Sequence, residues 1–183
     1  SYEEAAAIPY PVELAMYYLK KGNIEKRKHV LIVGASGSIG TTAVQIARHY
    51  GAKVTGVCST ANLELVRSLG AEAVIDYTKE DYSKNGERYD LILDAVPQQV
   101  ANRKALKSQA KNSLTSDGSY ISIYDGLAKV SYDDLAFVLD LTASGKFKPV
   151  IDRSYPLEEM VEAHRYVESG RKKGNVVVTV DHD

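Results

Sequence analysis

The sequence His29-Val-Leu-Ile-Val-Gly34-Ala-Ser-Gly37-Ser-Ile-Gly40 decides the fold. Its first half is a run of β-branched and apolar residues that meets a glycine, which predicts a buried parallel strand ending in a tight turn. The stretch from Thr41 to Tyr50 then carries apolar residues at helical spacing. Strand, glycine-rich turn and helix in this order are typical of the first unit of an α/β sheet.

The same alternation of strand and helix continues along the chain. Further strands are predicted at Lys53 to Cys58, Ala73 to Tyr77, Tyr89 to Val96, Tyr120 to Tyr124, Pro149 to Ile151 and Val176 to Val180. Helices are predicted at Ala61 to Leu69, Asn102 to Ala110, Ser131 to Ala143 and Pro156 to Gly170, and short helices broken at Pro9 and Pro11 precede the first strand. Two successive β-α-β-α-β halves predict an α/β fold, a doubly wound parallel sheet of the Rossmann type with strand order 3-2-1-4-5-6.

Composition narrows the class of protein. A chain of 183 residues, 44% of them hydrophobic, predicts one domain with a buried core. The formal net charge of -1 gives no field that would attract nucleic acid or an anionic membrane. The single cysteine, Cys58, excludes an internal disulfide and fits a reducing compartment, so we expect a cytoplasmic protein. The longest apolar runs are too short to span a bilayer, so we expect no membrane segment.

The glycine loop predicts a site for phosphate groups. A loop between a strand and a helix places phosphates against the unpaired N–H groups and the positive end of the helix dipole. Gly37 would let the backbone approach the phosphates, and Gly40 would let the helix pack close to the strand. The alternative is a glycine-rich turn that binds no ligand. The predicted cofactor contacts in this loop are Ser36, Gly37, Ser38, Ile39 and Gly40.

The end of the second strand indicates which dinucleotide is bound. Proteins that bind NAD usually carry an acidic residue there for the ribose hydroxyls, whereas this chain has Val57-Cys58-Ser59-Thr60. Without a carboxylate to repel a 2′-phosphate, and with two hydroxyls and a helix N-terminus to bind it, the sequence predicts NADP(H) with Ser59 and Thr60 as contacts. The alternative for Thr60 is that it only caps the next helix.

These features resemble the cofactor domain of the medium-chain dehydrogenases, and most closely the zinc-independent quinone oxidoreductases. The matching stretches are Glu3-Glu-Ala-Ala-Ala7, Val30 to Gly40, Cys58-Ser-Thr, Ser68-Leu-Gly-Ala71, Val74-Ile-Asp-Tyr77, Gly145 to Ile151, Tyr155-Pro-Leu-Glu-Glu159 and Gly174-Asn-Val-Val-Val178. The resemblance implies that Tyr77 helps to bind the 2′-phosphate, and that Ala95, Val96 and Ile123 line the nicotinamide. Asn62 stands where many quinone oxidoreductases have a lysine near the 2′-phosphate.

The resemblance also implies a larger enzyme. In that family a barrel-like domain precedes the segment that begins at Ser1, so residues 1–183 are expected to be an NADP(H)-binding domain with an N-terminal helical lead-in, without the domain that completes the active site. The expected reaction is hydride transfer to a small quinone, enone or carbonyl substrate, in a protein that could form a homodimer. No catalytic residue is predicted within the chain, and we expect the isolated chain to be inactive.

Other functions are less compatible with the sequence. The four histidines, His29, His49, His164 and His182, lack the paired spacing of metal ligands, so we expect no zinc. A non-catalytic module that senses NADP(H) remains an alternative. A methyltransferase-like domain is a third possibility, but such domains usually have an acid where this chain has Cys58. Asp94, at the end of a buried strand, is expected to bind nearby backbone or cofactor and not to catalyse.

Overall fold

The computed structural model of the chain describes residues 1–97, 102–129 and 131–180. The α-helices are α1 (Tyr2–Ala6), α2 (Pro9–Lys21), α3 (Ser38–His49), α4 (Leu63–Ser68), α5 (Arg103–Ser113), α6 (Tyr132–Ala143) and α7 (Met160–Glu168). The strands are β1 (His29–Val33), β2 (Lys53–Cys58), β3 (Ala73–Asp76), β4 (Tyr89–Asp94), β5 (Leu114–Ser122), β6 (Ile151–Pro156) and β7 (Asn175–Thr179).

Five strands form a parallel sheet in the order β3-β2-β1-β4-β5, which confirms the predicted order for these strands. β1 lies at the centre and pairs with β2 and β4. Its side chains alternate between two cores: Val30 and Ile32 pack with α2, α3, α4 and α6, whereas Leu31 and Val33 pack on the face that α5 covers. Helices therefore cover both faces of the sheet, as parallel strands require.

The prediction of a sixth strand in this sheet was wrong. β6 pairs with β7 in a separate two-stranded parallel sheet. The physical reason lies just before β6, where the Gln45 amide on α3 accepts from Lys148 N at 2.9 Å and donates to Lys148 O at 3.0 Å. These two bonds hold the chain against α3. Asn175 N then donates to Val150 O at 2.8 Å, so the chain continues into the β6–β7 pair.

Several predicted boundaries also needed correction. The strand predicted at Tyr120 to Tyr124 is β5, which begins earlier, at Leu114, and ends at Ser122, with a register shift in its pairing with β4 between Tyr89 and Leu91. Pro156 ends β6, and α7 begins only at Met160 after a short 3-10 turn. The N-terminal helices break once, at Pro9, which occupies the first turn of α2 where its missing N–H breaks no helical bond. Within the described residues, no helix could cross a membrane.

Candidate nucleotide-binding site

A cleft of about 1940 Å³ opens at the carboxyl ends of the parallel strands. This is where α/β sheets of this type bind ligands. Ten of the predicted cofactor residues line the cleft: Ser36, Gly37, Ser38, Ile39, Ser59, Asn62, Tyr77, Ala95, Val96 and Ile123. Gly40 and Thr60, the other two, are not among its lining residues.

The glycine loop is tied to the end of β2. The N–H groups of Gly34 and Ala35 both donate to Val57 O, at 3.1 and 3.0 Å. Gly34 has φ +82°, a conformation that side chains with a Cβ rarely adopt. The loop thus turns sharply off β1, and α3 begins at Ser38 with its N-terminus facing the cleft.

Gly37 and Gly40 lack side chains for different reasons. A Cβ on Gly40 would lie 2.1 Å from Gly34 O and 2.8 Å from Ala35 Cα, so close packing within the protein requires glycine there. A Cβ on Gly37 would meet Gly34 O at 3.6 Å, an ordinary contact, and its φ of -77° suits any residue. Nothing inside the protein requires glycine at position 37, where the missing side chain instead leaves room in the cleft.

Asn62 joins the glycine loop to the end of β2. Its Nδ2 group donates to Ser36 Oγ at 3.1 Å and to Ser59 Oγ at 3.2 Å, while its Oδ1 atom is buried without a hydrogen-bond partner. A serine hydroxyl can donate as well as accept a hydrogen bond. If the Asn62 amide rotates by 180°, both serine hydroxyls can donate to its Oδ1 atom, and its NH2 group becomes available to a ligand. The three side chains form a polar cradle with hydrogen-bonding capacity left over.

The structure does not bring Thr60 into this cradle. Its hydroxyl donates to the carboxylate of Asp76, the last residue of β3, and lies 3.3 Å from Thr78 Oγ1. The alternative prediction, that Thr60 caps the next helix, is wrong for the same reason. The sequence analysis missed Asp76, although its place at the carboxyl end of β3, paired with Cys58, could have indicated it.

The charges at this end of the cleft follow from those contacts. Hydrogen bonds from Thr60 and Thr78 lower the pKa of Asp76 to about 2, so its carboxylate is ionised at neutral pH. Lys79, which lines the cleft, lies 3.7 Å from the same carboxylate. Burial raises the pKa of the Cys58 thiol to about 11, which leaves it protonated. Cys58 therefore brings no negative charge to the cleft.

The opposite end of the cleft is mainly apolar. Ala95, Val96 and Ile123 lie together there because the strands β4 and β5 end side by side. Asp94, fully buried, accepts from Val96 N at 3.0 Å and from Tyr120 Oη at 2.6 Å, so it ties the end of β4 to β5. This is the structural role expected for Asp94.

A basic segment that the sequence analysis missed also reaches the cleft. Arg171, Lys172 and Lys173, between α7 and β7, all line it. Lys172 Nζ donates to Gly174 O at 2.7 Å and to Ser38 Oγ at 3.4 Å, which places its ammonium group beside the first residue of α3. Three consecutive basic residues before a glycine were the available signal.

Among the described residues, no three histidine, cysteine, aspartate or glutamate side chains lie close enough together to hold a metal ion.

Known proteins resemble this chain over most of its length. The zinc-binding dehydrogenase family matches residues 69–178. The chain is 35% identical over 193 residues to the 2-methylene-furan-3-one reductase of Solanum lycopersicum, covering 97% of the chain and 47% of that protein. It is 33% identical over 181 residues to a chloroplastic NADPH-dependent alkenal/one oxidoreductase of Arabidopsis thaliana, with the same two coverages of 97% and 47%.

Solved structures show the same fold. The quinone oxidoreductase from Coxiella burnetii superposes with a TM-score of 0.80 at 23% identity, over 97% of this chain and 60% of that one. The chain spans about half the length of the curated relatives described above. It therefore belongs to the medium-chain dehydrogenase/reductase family, in its quinone oxidoreductase-like branch, and corresponds to the cofactor-binding portion of that fold.

Proposed function

We propose that residues 1–183 form an NADP(H)-binding domain of an oxidoreductase that transfers hydride to a quinone, enone or other electron-poor carbonyl compound. The observation that carries the proposal is the open space at Gly37. Neither backbone conformation nor internal packing requires glycine there, yet the residue lies at the N-terminus of α3 in a large cleft. A ligand that must approach the backbone closely, such as a diphosphate, accounts for it.

The residues of the cleft fit a dinucleotide along its length. The first N–H groups of α3 have no partner within the helix and can bind the diphosphate. The cradle of Ser36, Ser59 and Asn62 offers its unused hydrogen-bonding capacity to a phosphate on the adenosine ribose. Val96 and Ile123 offer an apolar surface to the nicotinamide ring.

The bound cofactor would supply the hydride, and the chain would position it. Asp94 holds Val96 and β5 at a set distance, which fixes the surface on which the nicotinamide ring would lie. The names of the two plant relatives, a furanone reductase and an alkenal/one oxidoreductase, support a small electron-poor carbonyl substrate. A homodimer and a cytoplasmic location stay predictions, and one of these relatives is named as chloroplastic.

The preference for NADP(H) over NAD(H) is part of the proposal. It is supported by the neutral Cys58 thiol, by the two serine hydroxyls of the cradle and by the NADPH-dependent relative. Calorimetric titration of the chain with NADPH and with NADH tests it, and we expect NADPH to bind more tightly. Equal affinities, or tighter binding of NADH, would contradict the preference.

A substitution sharpens this experiment. Ser59→Asp would place a carboxylate beside the 2′-phosphate and should shift the preference toward NADH. Ser59 suits the test better than Cys58, because Cys58 is 1% exposed and pairs with Asp76 in the sheet, so a carboxylate at position 58 would be buried beside another. Ser59→Asn is the uncharged control of similar size.

We also propose that the chain holds no zinc of its own. Metal analysis of purified, dialysed protein should find well under one zinc per chain, because the described residues offer no cluster of ligands. One tightly held zinc per chain would contradict this.

A further inference from the structure

The segment from Arg171 to Gly174 is fastened to the glycine loop. Gly174 N donates to Ser36 O at 2.8 Å, and Gly174 forms an isolated parallel bridge with Gly37. Gly174 has φ +56°, and a Cβ on it would lie 2.3 Å from Val150 O, so no other residue fits this contact without strain. The start of β7 therefore meets the glycine loop directly at the candidate phosphate site.

This contact brings one ammonium group to the start of α3. Lys172 stands two residues before Gly174, and its Nζ lies 2.7 Å from Gly174 O and 3.4 Å from Ser38 Oγ. Ser38 is the first residue of α3, whose leading N–H groups and dipole favour an anion at the same place. The positive end of the helix and the lysine charge thus converge on one part of the cleft.

The charge of Lys172 is only partly compensated by the protein. An ammonium group has three donors, and the two partners given above are neutral oxygens. Within the described ranges, no carboxylate forms an ion pair with Lys172. The nearby carboxylate of Asp152 accepts from Tyr166 Oη at 2.5 Å and from Lys173 N at 3.0 Å. Burial lowers the pKa of Lys172, so an anion at this position would stabilise its charged form.

We propose that Lys172 is the counter-charge of the cofactor diphosphate, which would be bound jointly by the glycine loop and by the segment from Arg171 to Gly174. This inference rests on the proposed function, because it takes the ligand of the cleft to be a dinucleotide. It adds to the site a residue that lies 134 positions after Ser38 in the sequence. Cofactor binding would then strengthen the contact between the glycine loop and the β6–β7 pair.

The test uses substitutions that separate charge from structure. Lys172→Gln keeps a donor for Gly174 O but removes the charge, and Lys172→Arg keeps the charge. Lys53→Gln is the control, because Lys53 pairs with Glu72 at the opposite end of the sheet. Circular dichroism and thermal unfolding without cofactor show whether each variant is folded. Binding of NADPH and of NADH is then measured by nicotinamide fluorescence at low and high salt.

We expect Lys172→Gln to weaken NADPH and NADH by the same factor, about tenfold or more at low salt, because both carry the diphosphate and a charged hydrogen bond is lost. The dependence of Kd on salt should become shallower. Lys172→Arg should stay within about threefold of the original chain, a change of less than about 0.7 kcal/mol, and Lys53→Gln should bind as the original chain does.

Three results would overturn the inference. Unchanged binding by folded Lys172→Gln would show that the charge is not used. Weaker binding of NADPH alone would place Lys172 at the 2′-phosphate instead. Equally weakened binding by Lys173→Gln would indicate that the basic segment attracts the nucleotide by its overall positive charge and not through Lys172 in particular. If the original chain binds neither nucleotide, the proposed function fails as well, which distinguishes that failure from the others.

Discussion

Gly37 and Gly40, three positions apart, lack side chains for different reasons. The space at Gly40 is filled by the protein backbone, with Gly34 O only 2.1 Å from where a Cβ would stand. The space at Gly37 is open toward the cleft. The same residue type in one loop therefore has one role within the fold and another, as we propose, toward the ligand.

Two alanine substitutions test this separation. We expect Gly40→Ala to destabilise the chain by about 1–3 kcal/mol, because the added methyl overlaps backbone that can move only with α3. Gly37→Ala should cost less, about 1 kcal/mol or below, because Gly37 is the N-cap of α3 and alanine is a poorer N-cap than glycine. It should weaken NADPH binding by at least about tenfold, since the methyl would occupy space next to the diphosphate. Urea unfolding and calorimetry measure the two effects. Equal losses of stability would show that the assignment is wrong.

Asp76 predicts a pH dependence of stability. Its pKa in the folded chain is about 2, and an aspartate in an unfolded chain has a pKa near 4. A carboxylate with a lowered folded pKa stabilises the fold above the unfolded value, and this contribution is lost as the pH falls from about 4 to about 2.

We therefore expect Asp76→Asn to be less stable than the original chain at neutral pH, with a difference that shrinks as the pH falls through that window. Urea unfolding measured at intervals between pH 2 and pH 7 checks it. Asp133→Asn, at an exposed position on α6, is the matched control and should show no such narrowing. A difference that stays constant across the window would rule out the proposed role of the ionised carboxylate.

At the scale of elements, the Gln45 side chain helps to hold the β6–β7 pair apart from the five-stranded sheet. The Gln45 amide bonds both the N–H and the C=O of Lys148, as a neighbouring strand would. The backbone at Lys148 is thereby satisfied by α3 and not by the free edge of β5. The β6–β7 pair then forms beside the glycine loop, which brings Lys172 to the cleft.

Loss of the amide should loosen this unit specifically. Gln45→Ala is expected to destabilise the chain by about 1 kcal/mol, because two partly exposed hydrogen bonds are removed. Amide hydrogen exchange should accelerate in β6 and β7 while the rates in β1 and β4 change little. Exchange that accelerates equally in both sheets would show that Gln45 does not hold the unit in place.

At the scale of the whole molecule, helices of the same chain cover the five-stranded sheet. Helices encoded within the chain pack on both faces, and the two cores share no residue. The apolar end of the cleft is different, because Tyr10 there is 67% exposed and Tyr124 47% exposed. We infer that the fold is self-sufficient but that a substrate on the nicotinamide would face water.

We expect the 183-residue chain to fold cooperatively and bind NADPH, yet to reduce quinones and enones far more slowly than an ordinary enzyme. Orientation of the substrate and exclusion of water both require a second surface over the nicotinamide. The loss of nicotinamide absorbance with a panel of quinones and enones measures the rate. Turnover within about tenfold of an ordinary 10 per second would show that the chain already contains a complete active site.

The sequence by itself determined the features that depend on neighbours along the chain. The run from His29 to Gly40 predicted strand, loop and helix, and the alternation of elements predicted the order of five strands, because periodicity and glycine conformation act over a few residues. It also predicted ten of the residues that line the cleft. Only the tertiary structure decided which distant groups meet. Thr60 turns to Asp76, β6 leaves the sheet beside Gln45, and Lys172 reaches Ser38 across 134 residues, because such contacts depend on how finished elements pack and leave no local pattern.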